Sequence, residues 1–126
     1  MTAANNIALD IEELKKLKEA HNKQFSELLE TLSSMDEKRK SLWKEIYENA
    51  ATDRQNAYMC YVETYNSMSK NNDWAILGPV AKKFLDSMAK ATDQLLELTR
   101  IIAEVQEAEA AIDPEEIYSQ LESKRN

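Results

Sequence analysis

Glycine and proline are almost missing from this chain, and their scarcity restricts the possible folds more than any other feature. One Gly and two Pro occur in 126 residues. Turns draw on Gly, Pro and Asn, and a β-rich domain needs many turns. The secondary-structure elements must therefore be few and long. Charged residues make up 31% of the chain, which is typical of long helices with exposed faces. We expect an all-α protein.

Apolar residues recur at steps of three and four in three stretches, and each stretch predicts a long helix. The first runs from about 7 to 35, where Lys18 and His21 interrupt the apolar stripe as in a loose coiled coil. The second runs from about 36 to 70, and the third from 79 to about 111. His21 fits a polar interruption of a helix seam better than a metal ligand.

The predicted connections rest on local capping chemistry. Ser34 and Glu37 fit a capping box, so a helix is predicted to restart near there; one continuous helix through this point is the competing interpretation. Asn and Asp at 71–73 predict a loop with an N-cap at its end. Pro79 suits the first turn of the third helix, and 113–114 (Asp-Pro) suits the start of a short fourth helix.

The short connection at 71–73 predicts that the second and third helices form a long antiparallel hairpin. We divide the chain into an N-terminal helical segment (1–35), a central hairpin (36–111) and a short acidic C-terminal helix (112–126). Two helices cannot cover all of their apolar residues, so a third helix or other copies must help, and we favour homo-oligomerisation. The predicted core or interface residues are Trp43, Asp53, Arg54, Tyr58, Tyr61, Tyr65, Phe84, Met88, Leu95 and Ile102.

Asp53 and Arg54 stand in the middle of the apolar stripe of the second helix. Charges there are costly to bury unless they are paired. Two interpretations stay open: an ion pair within or between subunits, or a helix face that turns to water at this point.

The net charge of −7 disfavours general binding of nucleic acid, because phosphate affinity comes mainly from Lys and Arg. From residue 101 onward seven acids stand against Lys124 and Arg125. We expect this acidic tail to contact a partner protein. Its candidate residues are Glu115, Glu116, Ile117, Tyr118 and Leu121. The candidate DNA contacts, which symmetry would repeat in an oligomer, are Lys38, Arg39, Lys40, Lys44, Lys82 and Lys83.

The residue inventory predicts no catalytic, metal or cofactor site. One His cannot supply a two-His metal site, one Gly cannot build a phosphate loop, and no nucleophile has a base at a motif spacing. Cys60 is predicted to be a buried small hydrophobe in a reducing compartment. The N-terminus has no signal-peptide pattern, and no apolar run approaches the ~20 residues of a membrane span. We expect a protein that is neither secreted nor membrane-bound and that acts on no small-molecule substrate.

The stretch from Thr52 to Glu104 resembles the central region of small terminase subunits of tailed bacteriophages, above all the T4-like kind. The resemblance lies in Asp53-Arg54, the aromatic helix 57–65, the turn at 71–73 and the return helix 89–98. It implies a homo-oligomeric ring without an active site, which helps select viral double-stranded DNA in the cytoplasm of an infected bacterium.

In that family the ring regulates the ATPase and nuclease of the large terminase subunit. Many relatives carry an N-terminal DNA-binding helical domain, whereas this chain has a coil-like helix there. The alternative functions are those of a coiled-coil scaffold or adaptor, either a virion assembly chaperone or a dimeric four-helix interaction hub.

Overall fold

Residues 6–111, 119 and 121–123 are described by the structure, a computed structural model, and three long helices account for most of them. These are α1 (Ile11–Glu30), α2 (Glu37–Asn71) and α3 (Trp74–Ala110). The described part of the chain contains no strand, so the all-α prediction is confirmed. Helical backbone also occurs at 119 and 121–123, whereas the predicted start of a fourth helix at 113–114 lies outside the described residues.

The link between α1 and α2 interrupts the predicted first stretch, and the helix restarts as expected but with a different cap. The carboxylate of Asp36 accepts a hydrogen bond from the backbone N–H of Arg39 at 2.8 Å. Ser34 does not cap α2, because its N–H and hydroxyl both donate to Glu109 at the far end of α3. The predicted Ser34–Glu37 capping box is wrong. The motif considers only neighbouring residues, whereas Glu109, the competing hydrogen-bond acceptor for Ser34, is 75 residues away.

The turn between α2 and α3 lies where the Asn and Asp residues predicted it. Asn72 adopts the left-handed conformation with φ 57°, and it is the one non-glycine residue with positive φ in the described part of the chain. Asn tolerates this conformation better than most residues, which explains its use at the C-terminal end of a helix. Asp73 follows at the N-cap position of α3, but its side chain makes no capping hydrogen bond.

The third helix begins five residues earlier than predicted, at Trp74 rather than Pro79. Pro79 lies inside the helix, where it cannot donate a hydrogen bond to the carbonyl of Ala75. Ala75 is exposed, so water can satisfy that carbonyl near the helix end. Gly78 does not break the helix either: its φ is not positive, and a Cβ built on it meets no atom within 4 Å.

The α2–α3 hairpin is confirmed, and both of its helices are long enough to reach ~50 Å at ~1.5 Å per residue. Small side chains are buried along its seam, including Ala57 and Ala91, which line the same hollow. Small residues allow helix axes to approach closely. The larger apolar side chains must then lie beside the seam, where the hairpin by itself covers them only in part.

Helix α1 folds back along α2 of its own chain. Gln55 donates to the carbonyl of Leu14 at 2.6 Å, and farther along α2 the side chain of Asn66 hydrogen-bonds both backbone groups of Ile7. The main core lies at the other end of α1, beside the free end of the hairpin. It consists of Phe25, Leu29, Leu32, Met35 and Ile102.

Candidate interaction surface

A groove runs between α1 and α3 over the middle of α2. The two outer helices both pack on α2, and the groove that separates them has a volume of about 360 Å³. We call it the α1–α3 groove. Most of its lining is apolar: Leu14 and Leu17 come from α1, Tyr47, Ala51 and Tyr58 from α2, and Met88 and Leu95 from α3.

The nitrogen-bearing basic side chains of the α1–α3 groove are Lys18, His21 and Arg54, and no Asp or Glu lines it. The Arg54 guanidinium reaches across the hairpin, where its Nε donates to Thr92 Oγ1 at 2.9 Å. Asp53 points to the other side of α2, since it lines different hollows. Within residues 6–111 neither Asp53 nor Arg54 forms an ion pair. Both side chains are exposed in the single chain, so the alternative of an intrachain ion pair does not hold there, and an ion pair between subunits stays a prediction.

Tyr47 closes one end of the groove beneath α1. Its ring stacks on Phe25, with centroids 4.0 Å apart and an interplanar angle of 6°. Burial raises the pKa of the Tyr47 phenol above its ordinary value, because the phenolate would lose hydration. The side chain thus stays neutral at physiological pH and serves as an apolar wall with a polar tip.

The other side of the hairpin carries a second concavity at the same level. Ile46, Ala50 and Leu98 form its apolar part. Its ionisable residues are Asp53, Lys90, Asp93 and Glu97. Three of these four are acids, so we call this surface the acidic trough.

Arg100 stands beside the acidic trough and pairs with two acids of α3. It forms ion pairs with Glu97 and Glu104. The hydrogen bond from Arg100 holds the pKa of Glu97 below its ordinary value. Glu97 therefore stays ionised at neutral pH and keeps its negative charge beside the trough.

The structure distributes the predicted core and interface residues over several places. Ile102 lies in the main core, and Trp43 packs half-buried against it. The aromatic residues near the turn form a chain in which Tyr65 contacts both Tyr61 and Trp74. Arg54, Tyr58, Met88 and Leu95 line the α1–α3 groove, whereas Asp53 and Phe84 lie on the other side of the hairpin.

The two predicted basic clusters are not brought together. Lys82 and Lys83 lie near the turn, and the other cluster lies at the start of α2. About twenty residues of α2 separate these levels, which corresponds to roughly 30 Å at ~1.5 Å per residue. Lys40 is buried, with its ammonium 3.6 Å from Glu37 and 4.0 Å from Glu30. It is therefore the one member of the predicted set that does not face solvent.

The predicted partner-binding tail is described only in part. Glu115, Glu116, Ile117 and Tyr118 lie outside the described residues. Leu121 is described, and its side chain is exposed.

The sequence did not predict that the N-terminal segment packs on the hairpin of its own chain and supplies most of the main core. Leu29 is not among the predicted core or interface residues, yet it is one of the most buried side chains, and Leu32 and Met35 of the link are buried with it. One signal was available in the polar residues Gln55 and Asn66, which sit among apolar residues of α2 and hydrogen-bond the N-terminal segment. Cys60 was predicted to be buried and is half-buried in a hollow beside Ala57 and Phe84.

Comparison with known proteins adds no family: no family model, curated protein or solved structure matches this chain. In the described ranges, no three or more His, Cys, Asp or Glu side chains are grouped so that they could hold a metal ion. None of the described helices combines the length and apolar character needed to cross a membrane.

Proposed function

We propose that this protein is a non-enzymatic small terminase subunit, which assembles into a ring and regulates genome packaging in a tailed bacteriophage. The stretch that resembles that family, 52–104, coincides with most of the α2–α3 hairpin. The hairpin is the element on which such rings are built, so its presence supports the proposal. No curated protein or structure matches the chain, and the family assignment therefore rests on this resemblance.

The observation that carries the proposal is the apolar surface left on both sides of the hairpin after α1 has docked. Leu85 and Leu96 of α3 are 45% and 61% exposed, and Leu42 of α2 is 53% exposed. Single exposed apolar residues are ordinary on a protein surface, but here they occur on the same two helices that carry two concavities with apolar lining. Contact with further copies would remove this surface from water.

In such a ring the exposed basic residues would be repeated around the symmetry axis. The solvent-facing set is Lys38, Arg39 and Lys44 at one end of the hairpin, with Lys82 and Lys83 near the other. Repetition would offset the net negative charge locally and provide phosphate contacts. The acidic C-terminal tail is the proposed contact with the large terminase subunit.

Native mass spectrometry combined with light scattering tests the assembly. A ring predicts a single high stoichiometry that persists on dilution, because its last contact closes the circle. A monomer, a dimer or a graded series of polymers would rule it out. The packaging role is tested by adding the assembly to the large terminase subunit and measuring ATPase turnover; an unchanged rate at saturating ring would leave only a scaffold role.

The α1–α3 groove favours a second candidate function, that of a helical interaction hub. Three helices surround a concavity that a fourth helix from another protein would fill, completing a four-helix bundle. The same mass measurement separates the two functions. A hub stays at low stoichiometry alone and gains mass only when its partner peptide is present.

A further inference from the structure

We propose that the α1–α3 groove of one copy seats the acidic trough of the next copy, so that each subunit uses two different surfaces in a head-to-tail contact. This inference rests on the proposed assembly and names the faces that make it. Such heterologous contacts generate closed rings when the rotation between neighbours closes. Contacts between identical faces would instead stop at a dimer.

Both surfaces lie at the same level along the hairpin. On α2 the groove is lined between Tyr47 and Tyr58, and the trough between Ile46 and Asp53. At about 100° per residue, these two sets point roughly 120° apart around α2. They therefore face opposite sides of the plane that contains α2 and α3. When neighbouring copies are related by rotation about an axis parallel to the hairpin, the groove of one copy meets the trough of the next without any displacement along that axis.

The charges of the two surfaces are complementary. The groove presents the cations Lys18 and Arg54 with no acid, and the trough presents three acids with the single base Lys90. Opposite charges at matching levels favour this pairing, and like charges disfavour groove on groove or trough on trough. The charge pattern thus selects a second copy of this chain, in one relative orientation, as the occupant of the groove.

The apolar parts of the surfaces also match. Leu17 at the groove is 46% exposed and Ile46 at the trough is 40% exposed. Neither of these side chains belongs to the main core. Their mutual burial would add hydrophobic stabilisation to the charge pairing, and the surrounding charges would form the polar rim typical of specific interfaces.

Charge reversal on each surface separately tests the proposal. The groove variant is Lys18→Glu with His21→Glu, and the trough variant is Asp53→Lys with Asp93→Lys. Each has a matched control with the same change in net charge elsewhere: Lys16→Glu with Ala20→Glu, and Glu12→Lys with Glu63→Lys. All four control positions are exposed and line neither surface. Circular dichroism checks that every variant keeps its helices.

The expected outcomes are specific to a two-surface contact. Each surface variant alone should be monomeric, with an apparent dissociation constant raised at least about tenfold, because like charges now meet. An equimolar mixture of the two variants should assemble again with the two chains alternating. The reversed, acidic groove of the first variant fits the reversed, basic trough of the second, and the unchanged groove of the second fits the unchanged trough of the first. A chain that carries both reversals should recover the wild-type stoichiometry.

Three results would overturn the assignment of faces. These are wild-type assembly by either surface variant, disassembly by the controls, and failure of the doubly reversed chain to reassemble although it remains helical. In each case the wild-type protein still assembles, so the proposed function survives. A wild-type protein that is monomeric at all concentrations would instead remove the proposed function and this inference together.

Discussion

Phe25 of α1 stacks face to face on Tyr47 of α2, with ring centroids 4.0 Å apart. This contact joins the N-terminal helix to the hairpin beside the main core, since Tyr47 packs against that core and Phe25 belongs to it. The pair therefore reports directly on whether α1 docks within its own chain.

Phe25→Ala should lower the free energy of unfolding by roughly 3–5 kcal/mol, because it empties a buried aromatic site. Phe25→Leu should cost less, since it keeps most of the apolar volume. Urea unfolding followed by circular dichroism measures both. Lys23→Ala, at an exposed position of the same helix, is the control and should change little. An unaltered midpoint for Phe25→Ala would mean that α1 is not docked in solution.

Leu98 and Leu95 lie on the same helix but differ in burial. Leu98 is 7% exposed, whereas Leu95 is half-buried in the α1–α3 groove. Leu98→Ala should therefore cost about 2–5 kcal/mol in unfolding free energy, and Leu95→Ala clearly less. Both are compared by thermal unfolding of a monomeric surface variant. Equal losses would show that the groove is filled in the isolated chain.

Gly78 is the position where a substitution should stabilise the protein. Its backbone is helical with φ that is not positive, and an added Cβ meets open space. Gly78→Ala should raise the unfolding free energy by about 0.5–1 kcal/mol, because alanine loses less backbone freedom on folding. Ala89→Gly, the reverse change at an exposed site of the same helix, should lower it by a similar amount. A drop in melting temperature for Gly78→Ala would show that the helix does not run through this point.

The Ser34–Glu109 contact should make stability depend on pH. Hydrogen bonds from the hydroxyl and then the N–H of Ser34 hold the pKa of Glu109 below its ordinary value. A carboxyl with a lowered folded-state pKa stabilises the fold above its unfolded pKa, and this contribution fades as pH falls through the folded-state value. Wild type should therefore have a larger unfolding free energy than Glu109→Gln at neutral pH, and this difference should narrow in acid, as the pH falls below the ordinary pKa of a glutamate carboxyl. Urea unfolding of both proteins across this range measures it, and a gap independent of pH would contradict the assignment.

The exposed and buried lysines of the α2 cluster should behave differently. Lys38→Glu with Lys44→Glu should weaken retention of double-stranded DNA in a low-salt shift assay and leave the melting temperature nearly unchanged, because both side chains are exposed. Lys40→Ala should lower the melting temperature, since it removes a buried stem and its contacts with Glu30 and Glu37. Unchanged DNA retention in the double variant would remove this cluster from the proposed DNA contacts.

The helices and the turn between α2 and α3 could be predicted because local chemistry encodes them. Periodic apolar residues located α2 to within a residue at either end, and Asn72 supplied the left-handed turn that the hairpin needs. Two local predictions failed. Ser34 was predicted to cap α2, but it donates its hydrogen bonds to Glu109, which is distant in sequence. Pro79 was predicted to begin α3, but the turn that precedes it is also helical.

Several residues of the candidate surfaces could be predicted from the sequence, but their arrangement in the fold could not. Arg54, Tyr58, Met88 and Leu95 were expected at a core or interface, and the structure gathers them in one groove. The sequence could not show that Asp53 would face the opposite side from Arg54 in a complementary surface, because this depends on where α1 and α3 pack around α2.

Helix periodicity, scarce breakers and turn residues act over only a few positions, and they were enough to predict a set of long helices with one sharp reversal. The docking of α1 on its own hairpin, the burial of Lys40 and the two concavities on opposite sides could be seen only in the folded chain. Burial depends on which surfaces meet. Amphipathic helices of this kind can meet in several ways, and only the packed chain selects one.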